Sequence, residues 1–297
     1  MTQPPRLRLA MQKSGRLSDP SRRLLERSGI ELQSGGQRLS ASATNFPLDV
    51  MLVRDDDIPR FVAQGVCDLG IVGQNVLLET IDPAGPAAQK PQVVRKLGFG
   101  NCRLALAVPV AAAYEGVGWF RGRRIATSYP RCLEQYLAKN EVSATVVEIS
   151  GAVEGAPVLG VADAVCDLVA TGSTLRANGL REVETVLTSE AVLIQGDRAL
   201  PAATQVYLQQ LLERFDGVMK AARSKYIMMN APAEAVDLIT SLVPGMEEPT
   251  IVPLHGKSGR VALHAVAGEN VFWETMHKLK AAGASSILVV DIEKIIA

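Results

Sequence analysis

Val66-Cys67-Asp68-Leu69-Gly70-Ile71-Val72-Gly73 recurs 99 residues later as Val165-Cys166-Asp167-Leu168-Val169-Ala170-Thr171-Gly172. Each copy reads as a short apolar strand that opens on an Asp, closes on a Gly and runs into a helical stretch, Asn75 to Glu79 and Leu175 to Asn178. Five identities in eight also arise by chance between buried strands, but a β-turn-α unit met twice points to two similar α/β lobes.

Working outward, strands are expected at Leu7–Met11, Val50–Val53, Leu104–Val108, Arg124–Thr127 and Thr145–Ile149, and helices at Ser21–Ser28, Ile58–Gln64 and Arg131–Lys139. Strands alternating with helices imply parallel sheets. In open parallel sheets, ligands bind beyond the carboxyl ends of the strands, so function belongs in a cleft between the lobes. The links between lobes are expected at Arg95–Arg103 and near Glu184–Gln195. The Gly98-x-Gly100 in the first link reads as a hinge or turn, because it lacks the third glycine and the helix of a dinucleotide site.

From about Lys225 the pattern changes to strand Tyr226–Met229, helix Ala233–Leu242, strands Thr250–Leu254 and Val261–Val266, helix Glu269–Ala282 and strand Ile287–Asp291. That βαββαβ order is the ferredoxin-like split unit, preceded by a linking helix at Gln205–Arg223. Pro232 marks the start of its first helix, with Gly245 past the end, and Gly283 closes the second. The open sheet leaves an edge that invites assembly with another copy.

Composition narrows the function. At roughly 150 residues per domain, 297 residues make two domains or three small ones. With 47% hydrophobic and 21% charged residues the chain is ordinary globular protein. Thirty-one basic and 31 acidic residues cancel, so no global field draws it to nucleic acid or an anionic membrane. The four cysteines, Cys67, Cys102, Cys132 and Cys166, form no CxxC pair and read as reduced, buried thiols. The basic start lacks the apolar core of a signal peptide and no 18 apolar residues run together, so a soluble cytoplasmic protein is expected. His255, His264 and His277 lack metal-site pairing, which argues against a transition metal.

The richest chemistry lies in Asp163 to Leu175, where a strand ends in Thr171-Gly172-Ser173-Thr174 at the start of a helix. Free N–H groups and the positive end of the helix dipole meet three hydroxyls there, which suits a phosphate monoester. The plain alternative is a helix cap, but a cap needs one hydroxyl. Asp167, Asp163 and Glu154 lie near this turn, and acids beside a phosphate repel it unless they hold sugar hydroxyls or magnesium. The pairing points to a ribose phosphate, against the bland reading of solvated surface acids.

In the first lobe Lys13 and Arg16 flank Gly15 in a strand-end turn and suit a polyphosphate, unless they are simply a charged surface turn. In Arg54-Asp55-Asp56-Asp57-Ile58-Pro59, Asp57 reads as an N-cap, leaving two acids as either metal ligands or a solvated helix start. Tyr129 stands at a strand end and either stacks on a purine or fills a gap.

These residues, taken in order, resemble the long form of ATP phosphoribosyltransferase. The resemblance rests on Ala10 to Ser18 (Ala-Met-Gln-Lys-Ser-Gly-Arg-Leu-Ser), Val53 to Pro59, Cys67 to Ile71, Ile125 to Pro130, Asp167 to Leu175, Asn178 to Val183, Ser224 to Met229 and Gly283 to Val289, and covers essentially the whole chain. It implies an α/β fold of two periplasmic-binding-protein-like (type II) lobes, at 1–102 with 188–223 and at 103–187, plus an ACT-like regulatory domain at 224–297. It also implies Mg2+ and a homohexamer in equilibrium with dimers. The implied reaction moves the phosphoribosyl group of phosphoribosyl pyrophosphate to N1 of ATP, the first step of histidine biosynthesis, with feedback inhibition by histidine.

Carried over onto this chain, Thr171, Gly172, Ser173 and Thr174 would hold the 5-phosphate, Glu154 and Asp167 the ribose hydroxyls and magnesium, and Lys13, Arg16 and Arg54 the polyphosphates. Tyr129 would lie near the adenine, and Met246, Thr250 and Ser286 near the inhibitor, between neighbouring copies. Pro232 stands where some relatives carry an acid for the inhibitor's amino group. The related Thr-Gly turns of other phosphoribosyltransferases follow two adjacent acids, whereas here only Asp167 is close. The lobes alone would equally suit a non-catalytic small-molecule binding or sensing protein.

Overall fold

A computed structural model of the chain describes residues 5–33, 39–81, 90–246, 248–256 and 259–296. It divides into two compact units, Met1–Glu26 with Ile30–Leu208, and Arg27–Gly29 with Gln209–Ala297.

The first unit carries β1 (Leu7–Gln12), α1 (Ser18–Arg27), β2 (Ser40–Ser42), β3 (Leu48–Val53), α2 (Ile58–Ala63), β4 (Leu69–Gly73), α3 (Gln74–Thr80) and β5 (Gln92–Lys96). It continues with β6 (Cys102–Pro109), β7 (Arg124–Thr127), α4 (Pro130–Lys139), β8 (Thr145–Glu148), β9 (Ala164–Val169), α5 (Ser173–Ala177), β10 (Leu180–Ser189) and β11 (Ala191–Gln195). Two sheets result, in the orders β2-β3-β1-β4-β11-β5 and β10-β6-β9-β7-β8.

The expected parallel sheets are mixed instead. β3-β1-β4 and β8-β7-β9 are parallel, while β11 runs antiparallel to β4 and to β5, and β6 antiparallel to β9 and to β10. The reason lies in the two passes between sheets, β5 to β6 and β10 to β11. The parallel strands run toward the cleft and end there. A strand arriving from the other sheet enters from the cleft and must run away from it.

The two parallel cores repeat one device. Asp68 accepts the Arg8 N–H at 2.9 Å and the Arg8 guanidinium at 3.0 Å, and the same guanidinium nitrogen also donates to the Gly65 carbonyl at 3.1 Å. Asp163 accepts the Arg124 N–H at 2.8 Å and its guanidinium at 3.0 Å, and Arg124 donates to the Gly160 carbonyl at 2.9 Å. Gly65 and Gly160 have φ of +71° and +69°. The structural repeat is therefore Gly65-Val66-Cys67-Asp68 against Gly160-Val161-Ala162-Asp163, an offset of 95 residues rather than 99. Asp167 does not open its strand but sits inside β9. A shift of four residues keeps the period-two alternation of a strand, so apolar matching alone does not reveal it.

Packing follows from these registers. All five residues of β4 are buried, and a Cβ on Gly70 would come 2.6 Å from Ile58 Cγ2, so α2 lies on the strand only because residue 70 is glycine. Cys67, Cys132 and Cys166 are buried thiols as expected; Cys102 is half-buried.

The second unit holds most of α6 (Ala202–Ala222), then β12 (Ser224–Pro232), α7 (Val236–Leu242), β13 (Thr250–Pro253), β14 (Arg260–Gly268), α8 (Glu269–Ala281) and β15 (Ser285–Asp291). Its sheet, in the order β13-β14-β12-β15 and antiparallel throughout, is the ferredoxin-like arrangement. Ile227, Met229, Ala231, Leu263, Ala265 and Ala267 alternate inward to form its core with Ile239 and Leu279. Pro232 closes β12 in extended backbone rather than opening the helix, and Gly283 takes φ +85° after α8.

Asp68 holds a main-chain donor and a guanidinium together, so Asp68→Ala leaves the Arg8 N–H unpaired and the guanidinium without its carboxylate, and is expected to cost about 1–3 kcal/mol. Asp56→Ala, which removes an exposed ion pair, is expected to cost about 0–1 kcal/mol. Urea midpoints of the two variants check the ranking.

Candidate active site

β9 ends at Val169, and Ala170 and Thr171 lead to Gly172, whose φ of +73° and ψ of +10° turn the chain into α5. No side chain caps α5; Thr171 Oγ1 and Ser173 Oγ lie 3.1 Å apart and bond each other. The capping alternative thus fails for this turn, and its hydroxyls and the first N–H groups of the helix are left for another partner. Arg176 donates to the Thr171 carbonyl at 3.2 Å and steadies the bend. Residues Thr171 to Leu175 line a cavity of about 260 Å3 with Glu154 and Asp167.

Glu154 stands on a 3-10 turn, Val153–Gly155, entered through left-handed Ala152. Burial pushes the Asp167 carboxyl above its ordinary range; its bond from the Leu168 N–H opposes this and the charge of Glu154 adds to it. Two acids in one cavity, one of them raised by burial and by its neighbour's charge, form a place for a cation or for hydroxyl donors. Asp163 is not part of it. Its bond to Arg124 holds its carboxyl below the usual range, at the opposite end of β9.

Tyr129 takes its oxygen to the first lobe, where Asn75 Nδ2 donates to it at 3.0 Å. Burial pushes its phenol up, the Asn75 bond opposes, and the charges of Asp55 and Asp167 add to the rise. The ring therefore lies where acids of both lobes are felt. Asp57, expected to cap α2, makes no capping bond; its helical backbone continues the 3-10 turn Asp55–Asp57 into the helix. Arg54 is committed to Asp56 at 3.2 Å.

Lys13 follows β1, and its N–H bonds the Val53 carbonyl at 2.9 Å, so Lys13, Arg16 and Arg54 share one edge of the first sheet. Gln12 Oε1 accepts the Leu17 N–H at 2.9 Å and Ser18 Oγ donates to the Lys13 carbonyl at 3.0 Å, which fixes the intervening turn. The Lys13 and Arg16 side chains are exposed.

A second cavity of about 390 Å3 shares Ala170 with the first and is lined by Gln74, Lys96, Cys102, Arg103, Ser189 and Glu190 along the two inter-lobe passes. Its size is that of a small-molecule site. Gly98 and Gly100 are both left-handed in the first pass, as a turn requires, and the Gly98 N–H bonds Glu190 at 3.0 Å. Asn75, Glu79 and the lining residues of this cavity carried no role in the sequence; the only mark was a polar residue, Asn75, among apolar ones after a strand.

In the second unit, Met246 and Thr250 line a cavity of about 350 Å3 with Lys220, Tyr226, Glu248 and His264, and Tyr226 Oη lies 2.7 Å from His264 Nδ1. Ser286, left-handed at φ +51°, is on β15, at the opposite edge of the sheet from Thr250 on β13. One copy of the chain does not bring them together.

Residues 54–217 match the family described as ATP phosphoribosyltransferase, and residues 221–294 match "HisG, C-terminal domain". The chain belongs to the ATP phosphoribosyltransferase family. Its reaction transfers the phosphoribosyl group of phosphoribosyl pyrophosphate to ATP and opens histidine biosynthesis. Among solved structures, the chain is similar to the ATP phosphoribosyl transferase (HisG:HisZ) complex from Thermotoga maritima, with 23% identity, TM-score 0.58, and 71% of this chain and 98% of that one covered. The alkanesulfonate-binding protein SsuA from Xanthomonas axonopodis pv. citri aligns at 20% identity and TM-score 0.46 over 82% of this chain and 80% of that one. Among the described residues no helix is long and apolar enough to cross a membrane.

The raised Asp167 carboxyl gives a signed pH test of its place in this cavity. The folded chain binds this proton more tightly than the unfolded chain, so its contribution to stability is present in acid and is lost as pH rises from the ordinary value of 3.8 through the raised one. The urea midpoint of the wild type is expected to fall relative to that of Asp167→Asn over that rise, leaving the variant the more stable at neutrality and less active. A midpoint difference that moves the other way contradicts the placement.

Proposed function

We propose that the Thr171–Thr174 turn holds the 5-phosphate of phosphoribosyl pyrophosphate and that Asp167 and Glu154 hold the ribose. The observation that carries this is a turn whose hydroxyls cap nothing, lining one cavity with two acids. A phosphate monoester takes the hydroxyls, the amides and the helix dipole, and the acids accept hydrogen bonds from the ribose.

Magnesium fits the same acids. No group of three or more His, Cys, Asp or Glu able to hold a metal occurs among the described residues. Mg2+ asks for fewer, commonly one or two carboxylates with phosphate oxygens completing the shell, and Glu154 and Asp167 supply two. When bound it neutralises pyrophosphate charge.

Adenine N1 already carries a lone pair, so the protein has no strong base to provide. Positioning and electrostatics supply most of the rate as positive charge grows on the ribose carbon and negative charge on the departing pyrophosphate. Lys13 and Arg16, exposed on the first lobe's edge, are the groups for the polyphosphates. Arg54 shares that edge but must first leave Asp56. Tyr129 receives the adenine. The catalytic lobes are residues 1–102 with 188–223 and residues 103–187, working in the cytoplasm.

Residues 224–297 are the regulatory domain, and histidine is its inhibitor. Lys220 and Glu248 give the cavity of Met246 and Thr250 one charge of each sign, suited to an amino acid's two ends. Ser286, on the far edge of the sheet, joins that site only from a neighbouring copy, in line with a hexamer exchanging with dimers.

Initial rates with ATP, phosphoribosyl pyrophosphate and Mg2+ test the reading. Replacing Thr171 and Ser173 with Ala is expected to raise KM for phosphoribosyl pyrophosphate about tenfold or more. Arg16→Ala is expected to lower kcat while leaving the melting temperature unchanged, since its side chain is exposed. A stability loss that matches the activity loss refutes the role of Arg16.

A further inference from the structure

Helix α4 starts without a cap of its own. Tyr129 occupies the N-cap position and makes no capping bond, and Pro130 follows it. Its open N–H groups are nevertheless met, because Glu79 of α3 accepts the Arg131 N–H on one carboxylate oxygen and the Cys132 N–H on the other, each at 3.0 Å. This cap comes from the opposite lobe, more than 50 residues away in sequence, and exists only while the two lobes keep this orientation.

One turn back on the same helix face, Asn75 is 1% exposed. Its main-chain N–H donates to Ser189 Oγ at 3.0 Å, Ser189 Oγ donates to Asn75 Oδ1 at 2.7 Å, and Asn75 Nδ2 donates to Tyr129 Oη at 3.0 Å. Ser189 ends β10, at the return pass between lobes. A buried chain of bonds thus runs from the pass, through α3, to the tyrosine of the other lobe.

We propose that Asn75 and Glu79 are positioning residues of the transfer reaction, latching the lobes at one angle and holding the Tyr129 ring where the base of ATP is received. The inference rests on the reading of Tyr129 as the neighbour of that base. It separates the two substrates. The 5-phosphate turn is built within one lobe, from β9 and α5, and anchors phosphoribosyl pyrophosphate without the latch, whereas the base of ATP is received at the Tyr129 ring that the latch holds. Loosening the latch therefore weakens ATP and spares phosphoribosyl pyrophosphate.

The test uses the full-length chain, with KM for each substrate, kcat and melting temperature measured for Glu79→Ala, Glu79→Gln, Tyr129→Ala, Tyr129→Phe and the Glu79→Ala/Tyr129→Phe pair. Glu79→Ala is expected to raise KM for ATP about tenfold, with KM for phosphoribosyl pyrophosphate changed by less than about twofold. Glu79→Gln keeps one acceptor oxygen and recovers part of the loss, and stays informative should the alanine variant fold poorly. In the double variant the two effects add to less than their sum, because both act on the same ring. Equal changes in both KM values, or an unchanged KM for ATP in folded Glu79→Ala and Glu79→Gln, overturn the latch. An unchanged KM for ATP in Tyr129→Ala overturns the reading of the tyrosine itself, so the two failures are told apart.

Discussion

A carboxylate that binds the start of one strand to the start of its parallel neighbour underlies both lobes. Asp68 and Asp163 each take the main-chain N–H and guanidinium of an arginine that opens the adjacent strand, while that arginine also reaches a left-handed glycine carbonyl. Parallel pairs gain no register from a hairpin, and a slip of one residue would turn every buried side chain outward. The clip sets the register, and the register decides where each strand releases the chain at the cleft. Lys13, Arg54, Gln74, Thr127 and Ala170 all stand at those exits.

What gathers at the exits is unequal in charge, and the inequality fits the proposed division of substrates. One lobe offers exposed cations, while the other offers a hydroxyl turn beside Glu154 and Asp167, and burial makes ionisation of Asp167 costly. A buried carboxylate of this kind weakens an empty site, and a cation or hydroxyl donors offset that cost. A reaction that needs no base, but needs a sugar and a nucleotide held in line, suits this division. The fold supports it where the lobes meet at the two passes and at the α3–α4 contact, to which Glu79 and Asn75 bring polar bonds.

Much of the architecture was legible because it is written in local periodicity. The βαββαβ unit follows from alternating apolar residues between Tyr226 and Val266 and from Gly283 after a helix. The Thr-Gly-Ser-Thr bend was legible as a non-cap because it holds more hydroxyls than a helix start can use, and the structure leaves them unspent on α5. Three things were hidden. Asp163 rather than Asp167 is the strand-opening acid, since an even shift preserves alternation. The sheets are mixed because chain passes between lobes reverse direction, which no window of sequence contains. Glu79 and Asn75 gain their partners only in three dimensions, from residues that follow them by more than 50 positions.

The central claim is that the bend after Val169 grips a sugar-bound phosphate. The most direct measurement is a crystal structure of the chain with phosphoribosyl pyrophosphate and magnesium. The account predicts density for the 5-phosphate within hydrogen-bond reach of the Gly172, Ser173 and Thr174 amides and of the neighbouring hydroxyls. A map in which that bend is empty while the sugar lies elsewhere in the cleft contradicts it.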